Sequence, residues 1–140
     1  MSEVSYKALG DAVDRLREAL VRMEAHRGDE FHIPTRDSVL LSFQFTYGLC
    51  RQMIERFLVS VGEEPQEVEA MSLARLIRSA NERGVLRGDW TKWSELRDAR
   101  NRIAHSYSEP VAEEIVAKVP AFLEEAEYLY RQLVARNGEQ

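Results

Sequence analysis

A single cysteine, Cys50, leaves this chain of 140 residues without an intramolecular disulfide and without an all-cysteine zinc site. No apolar run approaches the roughly 18 residues that cross a bilayer, and the opening "MSEVSYKALGD" lacks the basic and apolar regions of a signal peptide. The expected location is therefore cytoplasmic, with no membrane association. Only four prolines and seven glycines are present, which sets aside low-complexity and disordered classes. His26 and His32 flank a loop with Asp29 and Glu30, but no metal-ligand spacing recurs, so neither a metal nor another cofactor is expected. Cys50 itself lies in the most apolar stretch, where a core role is expected rather than a nucleophilic one.

What is present is a globular composition, 44% hydrophobic and 31% charged, long enough to bury a core without staples. One domain is expected over 1–140, its core spanning about 5–135. The net charge of −5 argues against a nonspecific nucleic-acid coat, yet it is unevenly spread. Residues 1–70 sum to −5, residues 71–105 to +4 and residues 106–140 to −4. Arg75, Arg78, Arg83, Arg87, Lys92, Arg97, Arg100 and Arg102 thus form either a local anion-attracting surface or merely solvated helix faces.

Strand signals are almost absent and the apolar periodicity is helical. Leu9, Val13, Leu16, Leu20 and Met23 make one stripe. Gly28 and Pro34 punctuate the next stretch, and Thr35 is the expected N-cap of a second helix running to Gly62. That helix is apolar on more than one side, as a central bundle member or a subunit interface would be. "GEEPQEVEAM" reads as an acidic loop. Ser72 is expected to cap a short helix ended by Gly84, and Asp89 the next one, from Trp90 to about Ala104. Ser108-Glu109-Pro110 reads as a fresh N-terminus, and Pro120 is expected to kink the last helix. The sum is an all-α, antiparallel up-and-down four-helix bundle with one additional short helix.

The stretch "RDARNRIAHSY", residues 97–107, departs from that simple pattern. Trp93, Leu96, Ile103 and Tyr107 share a stripe whose missing step is Arg100. An unpaired guanidinium is costly to bury. Either the stripe opens there onto a cleft or a subunit boundary, or an acidic partner sits nearby, or the side chain snorkels past its neighbours into water. Asn101 and His105 stack one turn apart, with Arg97 a further turn back on the same side. Arg100 and His105, however, diverge by about 140° on an ideal helix. They converge only if the helix ends or bends near Ala104, or if two copies of the segment face each other.

"RNRIAHSY" resembles the R-x4-H-x-Y motif of the HEPN superfamily, with Asn101 as the polar residue after the arginine. "RDSVLLSFQFTYGLCRQMIERFL" and "LARLIRSANERGVLRGDWTKWSELRDARNRIAHSYSEPVAEEI" resemble the helices of its nucleotidyltransferase substrate-binding protein branch, so that the likeness covers roughly 5–135. Ser106 stands where the ribonuclease toxins of this superfamily often have glycine, and "SEPVAEEI" where they commonly have a V-D pair, which places the chain nearer the substrate-binding branch. The resemblance implies a bundle that dimerises with the motif lining a cleft at the interface, and a minimal nucleotidyltransferase as partner. It assigns Arg100 and His105 as catalytic, Asn101 as supporting, and Tyr107 as the candidate for adenylylation; Arg97, a turn back on the side of Asn101 and His105, is expected as a further supporting residue.

Three roles follow. The chain is the partner subunit of a nucleotidyltransferase in a toxin-antitoxin-like pair, or a metal-independent endoribonuclease toxin inhibited by adenylylation of Tyr107, or a non-catalytic helical dimerisation module. It carries no nucleotidyltransferase carboxylate signature and is not expected to transfer nucleotides itself. Were it a nuclease, histidine suits proton transfer and arginine suits a phosphate in the transition state. One motif histidine per chain means that acid and base would be His105 from each of two copies, acting on RNA held in the interface cleft.

Overall fold

The computed structural model describes residues 4–105 and 108–137. Among them are seven helices and no strand: α1 (Lys7–Ala25), α2 (His32–Ser60), α3 (Pro65–Ala70), α4 (Leu73–Glu82), α5 (Trp90–His105), α6 (Glu109–Val116) and α7 (Val119–Asn137). The four long members α1, α2, α5 and α7 make the expected all-α bundle, and the short ones occupy its connections. α2 touches every other helix, which explains why its sequence is apolar on more than one side. Its Phe43 and Tyr47 meet Trp93 of α5 and Phe122 of α7 in an aromatic centre with ring separations of 5.0–6.2 Å.

Three boundaries differ from the sequence reading. α2 begins at His32, and Thr35 lies inside its first turn, donating its hydroxyl proton to the carbonyls of Phe31 and His32 at 2.7 and 2.9 Å. Pro34 is tolerated there because first-turn amides have no intrahelical acceptor. The stretch expected to be an acidic loop holds α3, begun by Pro65 at its first position and anchored by buried Val68. Pro120 kinks nothing: the chain turns at Ala117–Lys118 and restarts, with Pro120 second in α7.

The other signals act as expected. The Ser72 and Ser108 hydroxyls accept from Arg75 N and Val111 N and cap α4 and α6. Gly84 closes α4 at φ 81°, a conformation that side-chain-bearing residues rarely adopt. The turn leading into α5 is tied to α7 by buried Glu125, which accepts from Gly88 N at 2.7 Å and from the Arg87 guanidinium at 3.0 and 3.1 Å. Asn81 donates to the carbonyls of Leu86 and Gly88, both at 3.1 Å. The start of α5, and hence the azimuth of everything along it, is fixed by these polar contacts.

Candidate functional site

Asp89 caps α5 through its side chain to Lys92 N and its carbonyl to Trp93 N. Downstream, Trp93, Leu96, Ala99 and Ile103 are buried and hold the helix to the bundle. Arg100 is half-buried beside them. Its guanidinium lies over the ring of Tyr47, 5.3 Å from the centroid, where the negative face of the ring attracts it. Among the described residues it makes no hydrogen bond and no ion pair. The cation is therefore neither neutralised by an acid nor released fully to water; an aromatic face supports it and leaves its hydrogen-bonding edge uncommitted.

Much of the surrounding basic segment is already paired. Arg83 meets Glu63 at 3.0 Å, Arg87 meets Glu124 and Glu125, and Arg102 grips Glu114 with two bonds of 2.9 Å. The +4 of residues 71–105 thus overstates the free positive charge. Arg97 lies over Trp90 at 5.2 Å and touches the adjacent Asp98. Asn101 and His105 are both exposed, and His105 is the last residue of α5. Because α5 stays helical through His105, Arg100 and His105 point well apart within one chain, and no hydrogen bond or ring contact joins them. Tyr107, the modification candidate, lies outside the described residues, as does Ser106.

The segment that carries Tyr107 is bracketed by ion pairs that the sequence reading did not anticipate. Arg36 of α2, only 1% exposed, donates to Glu113 at 3.0 Å, to Glu109 with both terminal guanidinium nitrogens, and to Asp37 at 3.0 Å. His32 Nε2 is 3.0 Å from the same Glu113 carboxylate. The bond from Arg36 holds the Glu109 and Glu113 carboxyls below their ordinary range, and the acids raise Arg36 in turn. With Arg102–Glu114 on the other side, these contacts account for the Ala112-Glu113-Glu114-Ile115 run. Its two glutamates clamp α6 to α2 and α5, while Ala112 and Ile115 are buried.

Tyr47 is itself unusual. Among the described residues its hydroxyl is buried without a hydrogen-bond partner, and burial pushes its pKa up to about 12 against the opposing field of Arg100, Arg97 and Arg51. The Trp93 indole N–H and the Arg97 Nε are likewise buried and unpartnered. Cys50 is fully buried and burial raises its thiol pKa, as a core role requires. His26 pairs with Asp29 at 3.0 Å; among the described residues no three metal-ligating side chains converge.

Beside the motif, Asp37, Leu40, Leu41 and Gln44 of α2 and Ile103 and Ala104 of α5 line an open groove of about 400 Å³. Leu41 is 69% exposed and Phe45, one turn along, 60%. None of the helices described is long and apolar enough to cross a membrane.

A family model described as "nucleotidyltransferase substrate binding protein like" matches residues 4–135. A protein of Haemophilus influenzae named probable ribonuclease HepT is 33% identical over 95 residues, 68% of this chain and 64% of that protein. The aligned stretch thus spans less than two thirds of that relative. A solved structure from Haemophilus influenzae, described as revealing the fold of a substrate binding domain of a nucleotidyltransferase, superposes with a TM-score of 0.83. Its identity is 25%, over 92% of this chain and 98% of that one.

Proposed function

The chain belongs to the HEPN-type nucleotidyltransferase substrate-binding protein family, and from that premise we propose that it is the partner subunit on which a minimal nucleotidyltransferase acts. It works as a homodimer whose interface cleft displays Arg100, Asn101 and His105, with Tyr107 accepting the transferred adenylyl group. The observation that carries this reading is the state of Arg100: half-buried on an apolar stripe, supported by Tyr47 and without a counter-ion among the described residues. A cation held in that way is poised for an anion from outside the chain, and a nucleotide phosphate is the anion that the family's partner handles.

The dimer answers the geometry of α5. Arg100 and His105 diverge within one copy, so a ligand touched by both is reached by Arg100 of one chain and His105 of the other. Leu41, exposed in the groove with Ile103 and Ala104, and Phe45, exposed one turn further along α2, would supply the apolar surface for that second copy. The test is incubation of the purified protein with a minimal nucleotidyltransferase of the kind this family partners and ATP, read by intact mass and peptide sequencing. Adenylyl groups on Tyr107, absent from Tyr107→Phe, support the role; an unmodified chain with the active partner overturns it.

A second reading, metal-independent endoribonuclease, shares the same cleft and is favoured by the intact Arg100-Asn101-His105 set and the uncommitted guanidinium. There His105 of the two copies would move protons to and from the ribose and leaving oxygens, while Arg100 would hold phosphate charge. Growth arrest on expression of the chain alone, abolished in His105→Ala and relieved by the partner, supports it. Cleavage unchanged by His105→Ala removes it. A purely structural dimerisation module would not need a cation kept uncommitted on an aromatic face.

A further inference from the structure

Resting on the reading of the cleft as a nucleotide-phosphate site, we infer that Arg51, a residue outside the R-x4-H-x-Y motif, joins Arg97 and Arg100 around Tyr47 to form a second phosphate subsite beside it. The geometry comes from two helices. Tyr47 and Arg51 are one turn apart on α2, hence on one face, and Arg97 and Arg100 are one turn apart on α5. The stacking of Arg100 on the Tyr47 ring at 5.3 Å joins the two pairs into one cluster.

Three cations gathered with so little compensation need an anion. Among the described residues Arg51 and Arg100 have no ion pair, and Arg97 pairs only with its neighbour Asp98. Glu55 follows Arg51 by one turn without pairing with it. A second, independent observation lies in the same seam: the Tyr47 hydroxyl, the Trp93 indole N–H and the Arg97 Nε are buried and unpartnered. Buried polar groups are nearly always satisfied, by protein, water or ligand. Tyr47 and Trp93 are only 3% and 1% exposed and their rings lie 5.9 Å apart, so their donors sit on adjoining rings, and the charges of Arg100, Arg97 and Arg51 all act on Tyr47. Guanidinium groups take phosphate oxygens two at a time, and the Tyr47 hydroxyl keeps its proton to donate.

The ligand class is the phosphate of a nucleotide, either one along a single RNA strand or one in a free nucleoside triphosphate, and the experiment separates these sources. Binding is measured in a His105→Ala background, which prevents turnover, with a labelled ten-nucleotide single-stranded RNA by anisotropy and with ATP by calorimetry. Arg51→Gln is expected to weaken the bound source about tenfold, the scale of one charge-assisted contact. For RNA it should also lower the salt slope by about one. Arg51→Lys keeps the slope, and Arg78→Gln, the same charge change at an exposed site of α4, leaves affinity within about twofold.

Loss in the RNA arm alone assigns the subsite to a strand, and loss in the ATP arm alone to a free nucleotide. If wild-type and Arg51→Gln proteins bind both probes equally, or neither probe binds wild type, the inference fails. Its outcome is separate from that of the motif. Weakened binding by Arg51→Gln in a protein that neither cleaves RNA nor accepts adenylyl groups keeps the subsite and removes the proposed function. Modification or cleavage that depends on the motif, with Arg51→Gln indifferent, does the reverse.

Discussion

A half-buried guanidinium with a ring beneath it and no acid beside it is held against a preference for water, because its desolvation is only partly offset by an attraction of about 0.5–1 kcal/mol. Arg100→Leu would complete the apolar stripe of Trp93, Leu96 and Ile103. The variant is expected to be more stable by about 0.5–1 kcal/mol in a denaturant or thermal melt, while losing any function of the cleft. A loss of more than about 1 kcal/mol would make Arg100 a structural residue. The misfit that singles out Arg100 was legible in the sequence as a cation on an apolar stripe. Its resolution was not, because Tyr47 lies on another helix and periodicity says nothing about which elements meet. Arg36 carries the same signature: it steps by 4, 3 and 4 to Leu40, Phe43 and Tyr47. The sequence reading began that stripe at Val39 and so missed a cation that turned out to be fully buried and paired.

At the scale of helices, the short α6 is held by charge as well as by its buried Ala112, Ile115 and Val116. Glu109 and Glu113 lie below their ordinary carboxyl values because they accept from Arg36. Depressed folded values mean that their contribution is complete above the unfolded value, near 4.5, and is lost as pH falls through the folded ones. Raising Arg36 has no counterpart in the accessible range. The melting temperature should therefore fall as the pH drops below about 4.5, and Arg36→Met should flatten that acid limb, as a pH series of thermal melts would show. An acid limb of equal slope in the variant would mean that other carboxylates govern it. The turn before α5 gives a second prediction. A Cβ at Gly88 would lie 2.5 Å from Glu125 Oε1, so Gly88→Ala forces the carboxylate away from the amide it accepts from. The expected cost is about 1–3 kcal/mol. Sequence showed the Ser72, Asp89 and Ser108 caps because a cap is a local signal. It hid α3 and the α6–α7 break because proline marks a helix start as readily as an interruption, and only neighbouring contacts decide which.

For the whole molecule, the decisive fact is that α2 touches every other helix and still presents Leu41 and Phe45 to solvent. A central helix is the least suited place for two large exposed apolar side chains unless something covers them. Leu41 borders Ile103 and Ala104 just before His105, and in the proposed homodimer a second copy seated there would close over the motif. Burying a side chain of this size yields about 1.5–3 kcal/mol, and two from each copy set against an association cost of about 4–15 kcal/mol would give the proposed dimer a modest affinity. Such a dimer is sensitive to one charge per chain. Phe45→Glu is expected to sediment as a monomer at micromolar concentration with its helical circular dichroism intact, and to lose function although Arg100 and His105 are both present. Arg78→Glu, an equally exposed change on α4, should leave the dimer as it was. If Phe45→Glu stays dimeric, or becomes monomeric and keeps full function, then Arg100 and His105 serve a ligand within one chain despite the angle between them.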